Sequence, residues 1–326
     1  MKTPSWFLKK NFTALALLPV SWIYFLVSRL VYISRPFCKK TSKRPVICIG
    51  NILAGGVGKT PIVREVAKRL KSPVIMRGYG GLGTGDWGLV KNEDTVQIVG
   101  DEAKMLKNAN VDVYVGDRRR NIDTLNQSPI PNPQSPIIMD DGFQNPTIKK
   151  DISILVFDGK IGVGNSFLLP AGPLREPLSA IKRADAILVM GTGDWGLGAI
   201  DHLKKYKKPV FLVKNKTIMP NKKSPIPNPQ SHFIAFAGIG YPQKFFENLP
   251  KRPVKTISFP DHHQYSDADL QKIIKKAGDL DIITTEKDWV RLPGWAQKRI
   301  RFAPLKTTIQ PAFYEWLRRE LGHRAA

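Results

Sequence analysis

The order of residues 45–70 constrains this chain more than anything else in it. Pro45-Val46-Ile47-Cys48-Ile49 is an apolar run of strand length. It leads into Leu53-Ala54-Gly55-Gly56-Val57-Gly58-Lys59-Thr60, and a helix is expected over 61–70. Small residues let backbone N–H groups approach phosphate oxygens, and a helix start adds its dipole. In such a loop the lysine reaches the β- and γ-phosphates and the hydroxyl residue ligates Mg²⁺. Here those residues are Lys59 and Thr60. The strict pattern has glycine where this chain has Leu53, but Gly55, Gly56 and Gly58 still supply the turn. Residues 53–60 are therefore the expected triphosphate cradle.

A chain of 326 residues makes two domains the natural expectation. It has two cysteines, Cys38 and Cys48, and Cys48 lies inside the apolar run, so no disulfide framework is expected. The net charge of +24 points to an anionic partner: nucleic acid, an acidic membrane surface or a phosphorylated substrate. The charge is spread along the chain, with Arg118-Arg119-Arg120 the densest arginine cluster. Aromatic residues do not alternate with basic ones as a base-stacking surface requires, so nucleic-acid binding is not expected. No protein partner is evident.

Residues 11–28 carry no charge, which at 18 residues is the threshold for a membrane span. Lys2, Lys9 and Lys10 precede them, and Arg29, Arg35, Lys39, Lys40, Lys43 and Arg44 follow. No small-residue cleavage site follows the apolar stretch, so signal-peptide removal is not expected. Two expectations stand: a single span, or a helix lying in the interface on anionic headgroups. Either places the body on the cytoplasmic side, where nucleotide is available.

Apolar runs at 46–49, 73–76, 111–115, 137–140, 152–157, 186–190 and 210–213 alternate with helical stretches. That is the signature of an α/β fold with a mostly parallel sheet. Residues 219–231 read as a linker, after which runs at 233–237, 254–259 and 282–285 begin a second, smaller α/β unit. The expected domains are a membrane-associated helix with its basic flank at 1–44, a P-loop domain at 45–218, and the linker with the smaller domain at 219–326. Two strings occur twice, at 128–135 and 224–231 and at 83–89 and 191–197. Their Pro/Gly content marks them as insertions at loop tips.

Further clusters carry chemistry. Asp101-Glu102 follows the apolar stretch 96–99, two adjacent carboxylates expected at a strand end, where one faces metal and one substrate. Asp140-Asp141 closes the apolar run 137–140, as a Walker-B acid does near a metal. Asp261-His262-His263 in the second domain offers a base or a proton shuttle. The strings 169–177 and 284–288 are turn-like and charged, with no role that physics alone assigns.

Taken together, these strings resemble the tetraacyldisaccharide 4′-kinase family. The matching residues are Gly50-Asn51, Gly55-Gly56-Val57-Gly58-Lys59-Thr60-Pro61, Arg77-Gly78-Tyr79-Gly80, Gly100-Asp101-Glu102, Val115-Gly116-Asp117-Arg118-Arg119, Asp140-Asp141-Gly142-Phe143-Gln144, 169–177, Phe259-Pro260-Asp261-His262-His263-Gln264-Tyr265 and 284–288. Ala103 departs from the proline expected after Gly-Asp-Glu.

The resemblance implies ATP-dependent phosphorylation of the 4′-hydroxyl of an acylated glucosamine disaccharide 1-phosphate at the inner membrane, a step of lipid A synthesis. It implies Asp101 as general base aided by His262, with Asp141 positioning that histidine. It implies Thr60, Glu102 and Gln144 around Mg²⁺, and Arg77, Tyr79 and Arg119 near the lipid headgroup. A closing motion of the second domain would bring His262 in and exclude water. A membrane-bound nucleic-acid-binding protein is a second rival, supported only by charge; the nearest rival is a membrane-associated P-loop ATPase switch of the partition or metal-insertion type. Ala54 weakens it, because such proteins often carry lysine just before the paired glycines.

Overall fold

The apolar runs form the strands they promise. In the computed structural model, residues 4–34, 39–77, 88–127, 135–191, 203–220 and 232–325 are described. The strands are β1 Val46–Gly50, β2 Val74–Met76, β3 Val113–Val115, β4 Ile137–Asp140, β5 Ile152–Asp158, β6 Ala186–Met190 and β7 Val210–Thr217. Then come β8 Phe233–Ala237, β9 Lys255–Ser258, β10 Asp281–Thr285, β11 Arg301–Ala303 and β12 Leu305–Ile309. Much of each duplicated string, Tyr79 and most of the expected linker lie outside the described residues.

Two compact units make up the chain. The larger comprises Thr3–Asp94, Leu106–Asn215 and Thr307–Ala326, and the smaller Thr95–Met105 and Lys216–Lys306. An eight-stranded sheet runs in the order β12-β7-β6-β5-β1-β4-β2-β3. Strands β1 to β7 pair in parallel. Every residue of β1, β4 and β5 is buried, as expected for central parallel strands covered on both faces. Strands β1 and β4 are neighbours, with Ile49 opposite Asp140. The loop after β1 and the acids ending β4 therefore emerge together at the carboxyl edge, where open α/β sheets bind ligands.

The four strands of the smaller unit are parallel, in the order β11-β10-β8-β9. Strand β8 has period-two alternation. Phe233, Ala235 and Ala237 pack with Phe245 and Phe246 on one face. Ile234 and Phe236 pack with Leu270 and Ile273 on the other.

The amino-terminal expectation needs correction. The uncharged stretch does not form one long helix. It is divided between helices Phe12–Ala16 and Leu18–Ile33, which meet at Leu17 just before Pro19. At 1.5 Å per residue the 16-residue helix reaches about 24 Å, short of a bilayer core of about 30 Å. Among the described residues no helix is long and apolar enough to cross a membrane.

The polarity of the longer helix is inverted. Its inner side is tied down by polar atoms. Ser21 Oγ donates to Leu168 O at 2.9 Å and accepts from Ala171 N at 3.1 Å. Tyr24 Oη donates to Arg175 O at 3.2 Å. Its outer side exposes Trp22, Ile23, Leu26, Val27, Leu30 and Ile33.

Candidate active site

In the larger unit, β1 ends at Gly50 and the chain turns into the glycine loop. Asn51 is buried, its Nδ2 donates to Leu53 O at 2.8 Å, and its Oδ1 accepts from Lys59 Nζ at 3.2 Å. The loop is backed by the 169–177 segment. Ala54 N donates to Pro173 O at 2.7 Å, and Arg175 N donates to Ile52 O at 2.8 Å. Gly58 holds φ +73°, a left-handed backbone that favours glycine. Helix Lys59–Leu70 starts at once, with Lys59 and Thr60 in its first turn and no acidic residue there.

Lys59 also pairs with Asp141, Nζ to Oδ1 at 3.1 Å. Asp141 has a left-handed φ of 46°, and its N–H donates to Ile49 O at 2.9 Å, which aims the carboxylate toward the lysine. Arg175 Nη1 reaches its other oxygen at 3.1 Å. Burial alone would raise the Asp141 carboxyl, but Lys59 and Arg175 outweigh it and hold the pKa below the usual carboxylate value.

The Asp140–Gln144 turn is built from beneath. Arg118 Nη2 donates to Asp140 O at 2.5 Å and Asp141 O at 3.3 Å. Lys150 Nζ donates to the carbonyls of Gly142, Phe143 and Asn145 at 3.3, 3.1 and 2.7 Å. Gln144 Nε2 donates to Asn51 O at 2.8 Å, which joins this turn to the loop after β1. Lys59, Asp141, Gln144 and residues 53–60 thus assemble at one sheet edge.

Two other expected residues lie elsewhere in this unit. Arg77, exposed, follows the end of β2. Arg119 lines a cavity of about 430 Å³ with Lys39, Lys40, Lys43 and Asn126.

The smaller unit holds a second cluster. Residues Val96–Val99 form a helical turn, not the strand expected before the carboxylates. Gly100, at φ 87°, breaks it, and helix Asp101–Asn108 begins with Asp101 and Glu102 in its first turn. Acids there suit the dipole. Asp101 is nearly buried and pairs with Arg291 Nη2; Lys287 Nζ stands 3.7 Å from the same Oδ2. Burial alone would raise its pKa, and Lys287 and Arg291 bring it below the ordinary value.

The two histidines differ. His262 has φ 59°; its Nδ1 lies 3.7 Å from Asp101 Oδ2, its Nε2 3.3 Å from Lys287 Nζ, and its side chain is 62% exposed. His263 stacks on Phe259 at 4.7 Å and bonds Asp269 at 3.2 Å, a packing role. His262 is therefore the one left accessible beside a carboxylate. Among the described residues no group of three or more His, Cys, Asp or Glu side chains is gathered as a metal site.

Sequence reasoning gave no role to Arg175, Lys287 or Arg291, although two of them lie in the strings 169–177 and 284–288. Nor did it find Lys150 or the bridging part of Asn51. Lone basic residues carry no periodic signal, so only the fold reveals which carboxylate or carbonyl each one meets.

The family model for tetraacyldisaccharide-1-P 4′-kinase matches residues 13–322. A tetraacyldisaccharide 4′-kinase of Gluconobacter oxydans is 38% identical over 261 residues, 76% of each chain. One from Legionella pneumophila strain Lens is 33% identical over 323 residues, 95% of each chain. The crystal structure of an apo-form LpxK from Aquifex aeolicus in complex with ATP superposes with a TM-score of 0.71 at 25% identity, covering 95% of this chain and 99% of that one. A family-model match over residues 13–322 and relatives at 33–38% identity place the chain in the tetraacyldisaccharide-1-P 4′-kinase family.

Proposed function

We propose that this protein transfers the γ-phosphoryl group of ATP to the 4′-hydroxyl of an acylated glucosamine disaccharide 1-phosphate, giving lipid IVA in lipid A synthesis. The observation that carries the reading is Lys59, held between Asn51 and Asp141 at the mouth of the glycine loop. A lysine so placed stabilises charge on the β- and γ-phosphates, and backbone N–H groups of 53–60 cradle them. The hydroxyl oxygen forms a bond to the γ-phosphorus, and the bond from that phosphorus to the β,γ-bridging oxygen breaks, releasing ADP. The hydroxyl proton passes to Asp101, with His262 beside it. Asp141 then orients His262, as the resemblance implies, in addition to holding Lys59.

The resemblance assigns Mg²⁺ to Thr60, Gln144 and Glu102, and their donor types suit it: two neutral oxygens and a carboxylate, the hard ligands such an ion takes alongside phosphate. When bound, Mg²⁺ would offset phosphate charge. Arg77, Tyr79 and Arg119 are assigned to the headgroup of the lipid substrate.

The protein works at the cytoplasmic face of the inner membrane. A helix docked by Ser21 and Tyr24 with its apolar side outward suits insertion into an interface, not packing on a protein body. The basic cavity of Lys39, Lys40, Lys43 and Arg119 begins six residues beyond the end of that helix and suits anionic headgroups.

The test is incubation with γ-labelled ATP and the disaccharide 1-phosphate in mixed micelles. Labelled bisphosphorylated lipid is expected. Labelled free phosphate with no lipid product would overturn the kinase reading in favour of an ATPase switch.

A further inference from the structure

Arg291 sits where the smaller unit keeps its buried charge. Beneath it lies Asp288, a fully buried carboxylate. Asp288 Oδ2 accepts from Thr285 Oγ1 at 2.6 Å and from Gly238 N at 3.0 Å, so that oxygen is fixed by the ends of β10 and β8. Its other oxygen stands 3.5 Å from Arg291 Nη1, and Gly238 O stands at the same distance from that nitrogen. The second guanidinium nitrogen, Nη2, meets two further groups. It bonds Asp101 Oδ2 and lies 3.2 Å from His262 Nδ1. The Arg291 side chain is only 9% exposed. One planar fork thus joins a buried post to both groups given the proton-handling role.

We propose that Arg291 is the positioning residue of this kinase: seated on Asp288, it fixes the Asp101 carboxylate and the His262 ring in one arrangement. Asp101 begins a helix after a glycine break, and His262 is on a loop with a left-handed backbone. Neither element alone sets the angle between carboxylate and ring. A guanidinium does so because its donors form a rigid fork, which an ammonium does not. Transfer to a hydroxyl depends on such alignment, since about 1 Å of misplacement costs on the order of 10²-fold in rate. Lys287, 3.3 Å from His262 Nε2, is a flexible point charge and does not replace it.

The inference rests on reading Asp101 as the proton acceptor, and the experiment separates the two. Arg291→Met, Arg291→Lys, Asp101→Ala and the Asp101→Ala/Arg291→Met double variant are assayed with ATP and the lipid disaccharide. Arg291→Met is expected to lower kcat about 10²-fold with KM for ATP within twofold of wild type. On the Asp101→Ala background it should have no further effect, because residues acting as a unit are not additive. Arg291→Lys keeps the buried charge, and with it the fold, and should still lose at least about tenfold in kcat.

An Arg291→Met loss that multiplies undiminished onto Asp101→Ala would overturn the proposal. So would Arg291→Lys at wild-type kcat with a wild-type melting temperature, or losses that track ATP binding and melting temperature alone. Full activity in Asp101→Ala would instead remove the proton-acceptor reading on which the proposal stands.

Discussion

Lys59 Nζ and Asp141 Oδ1 lie 3.1 Å apart, one in the first turn after the glycine loop and the other just past the end of the neighbouring strand. The pair ties the expected phosphate-binding lysine to the expected acid. On the proposed function, nucleotide phosphates would compete with Asp141 for an ammonium already held in place.

Removing that ammonium removes the charge that the proposed function assigns to the β- and γ-phosphates. Lys59→Ala should lower kcat/KM by about 10³-fold or more, and should also lower the melting temperature because Asp141 loses a cationic partner. Steady-state rates with labelled ATP check this. A variant within tenfold of wild type would take Lys59 out of phosphate binding.

Asp101→Ala should lower kcat by about 10²- to 10⁴-fold, the range of general base catalysis, and leave ATP affinity nearly intact. Calorimetry with a non-hydrolysable ATP analogue measures the second quantity. Loss of nucleotide affinity would reassign Asp101 to the nucleotide or its metal.

The acid limb of the stability curve follows from Asp141. Its pKa is lowered in the folded state, because Lys59 and Arg175 outweigh burial. A lowered carboxyl stabilises the fold above its unfolded value near 4, and that contribution disappears as pH falls through the folded value below it. Asp141→Asn should therefore be less stable than wild type at pH 7, with the gap closing as pH falls through the lowered folded value. Urea unfolding at stepped pH reads this. A gap that widens toward low pH would contradict the sign.

Gly142 lies in the turn that presents Asp141. A Cβ there would come 1.9 Å from Met139 Sδ and 2.4 Å from Met139 Cγ. Gly142→Ala should destabilise by about 1–3 kcal/mol, the usual range for overpacking, and lower activity by moving the turn. Gly56, with open space around it, is the control: Gly56→Ala should leave the melting temperature near wild type.

Trp22, Leu26 and Leu30 project from the outer side of the amino-terminal helix and are more than half exposed. Replacing all three with serine should reduce co-sedimentation with anionic vesicles by about tenfold or more, since each large apolar side chain is worth on the order of 1.5–3 kcal/mol when buried. The melting temperature in detergent should not change. Unaltered sedimentation would leave the basic residues as the whole of the attraction.

The strands were legible because parallel β residues buried on both faces read as unbroken apolar runs. Residues 137–140, 186–190 and 233–237 match β4, β6 and β8 to the residue. Reading failed where that signal fails. Strand β7 continues to Thr217 through Lys214, Asn215 and Lys216, alternating where a continuous run was sought. Strand β12, Leu-Lys-Thr-Thr-Ile at the sheet edge, alternates in the same way and went unread. Val96–Val99 looked like a strand because four residues cannot separate a helical turn from one. At the site the acids and the cradle were visible as strings. The cations that meet the acids were not, because Asp101 and Arg291 are separated by 190 positions.

The amino-terminal helix is fastened by Ser21 and Tyr24 to the backbone of the 163–177 segment, and Arg175 of that segment reaches Asp141. Removing the amino-terminal segment would strip hydrogen-bond donors from the carbonyls of Leu168, Pro170 and Arg175 and unsettle the partner of a key aspartate. Repainting the greasy outer flank with polar side chains, the inward hydroxyls untouched, takes away the apolar surface without that loss.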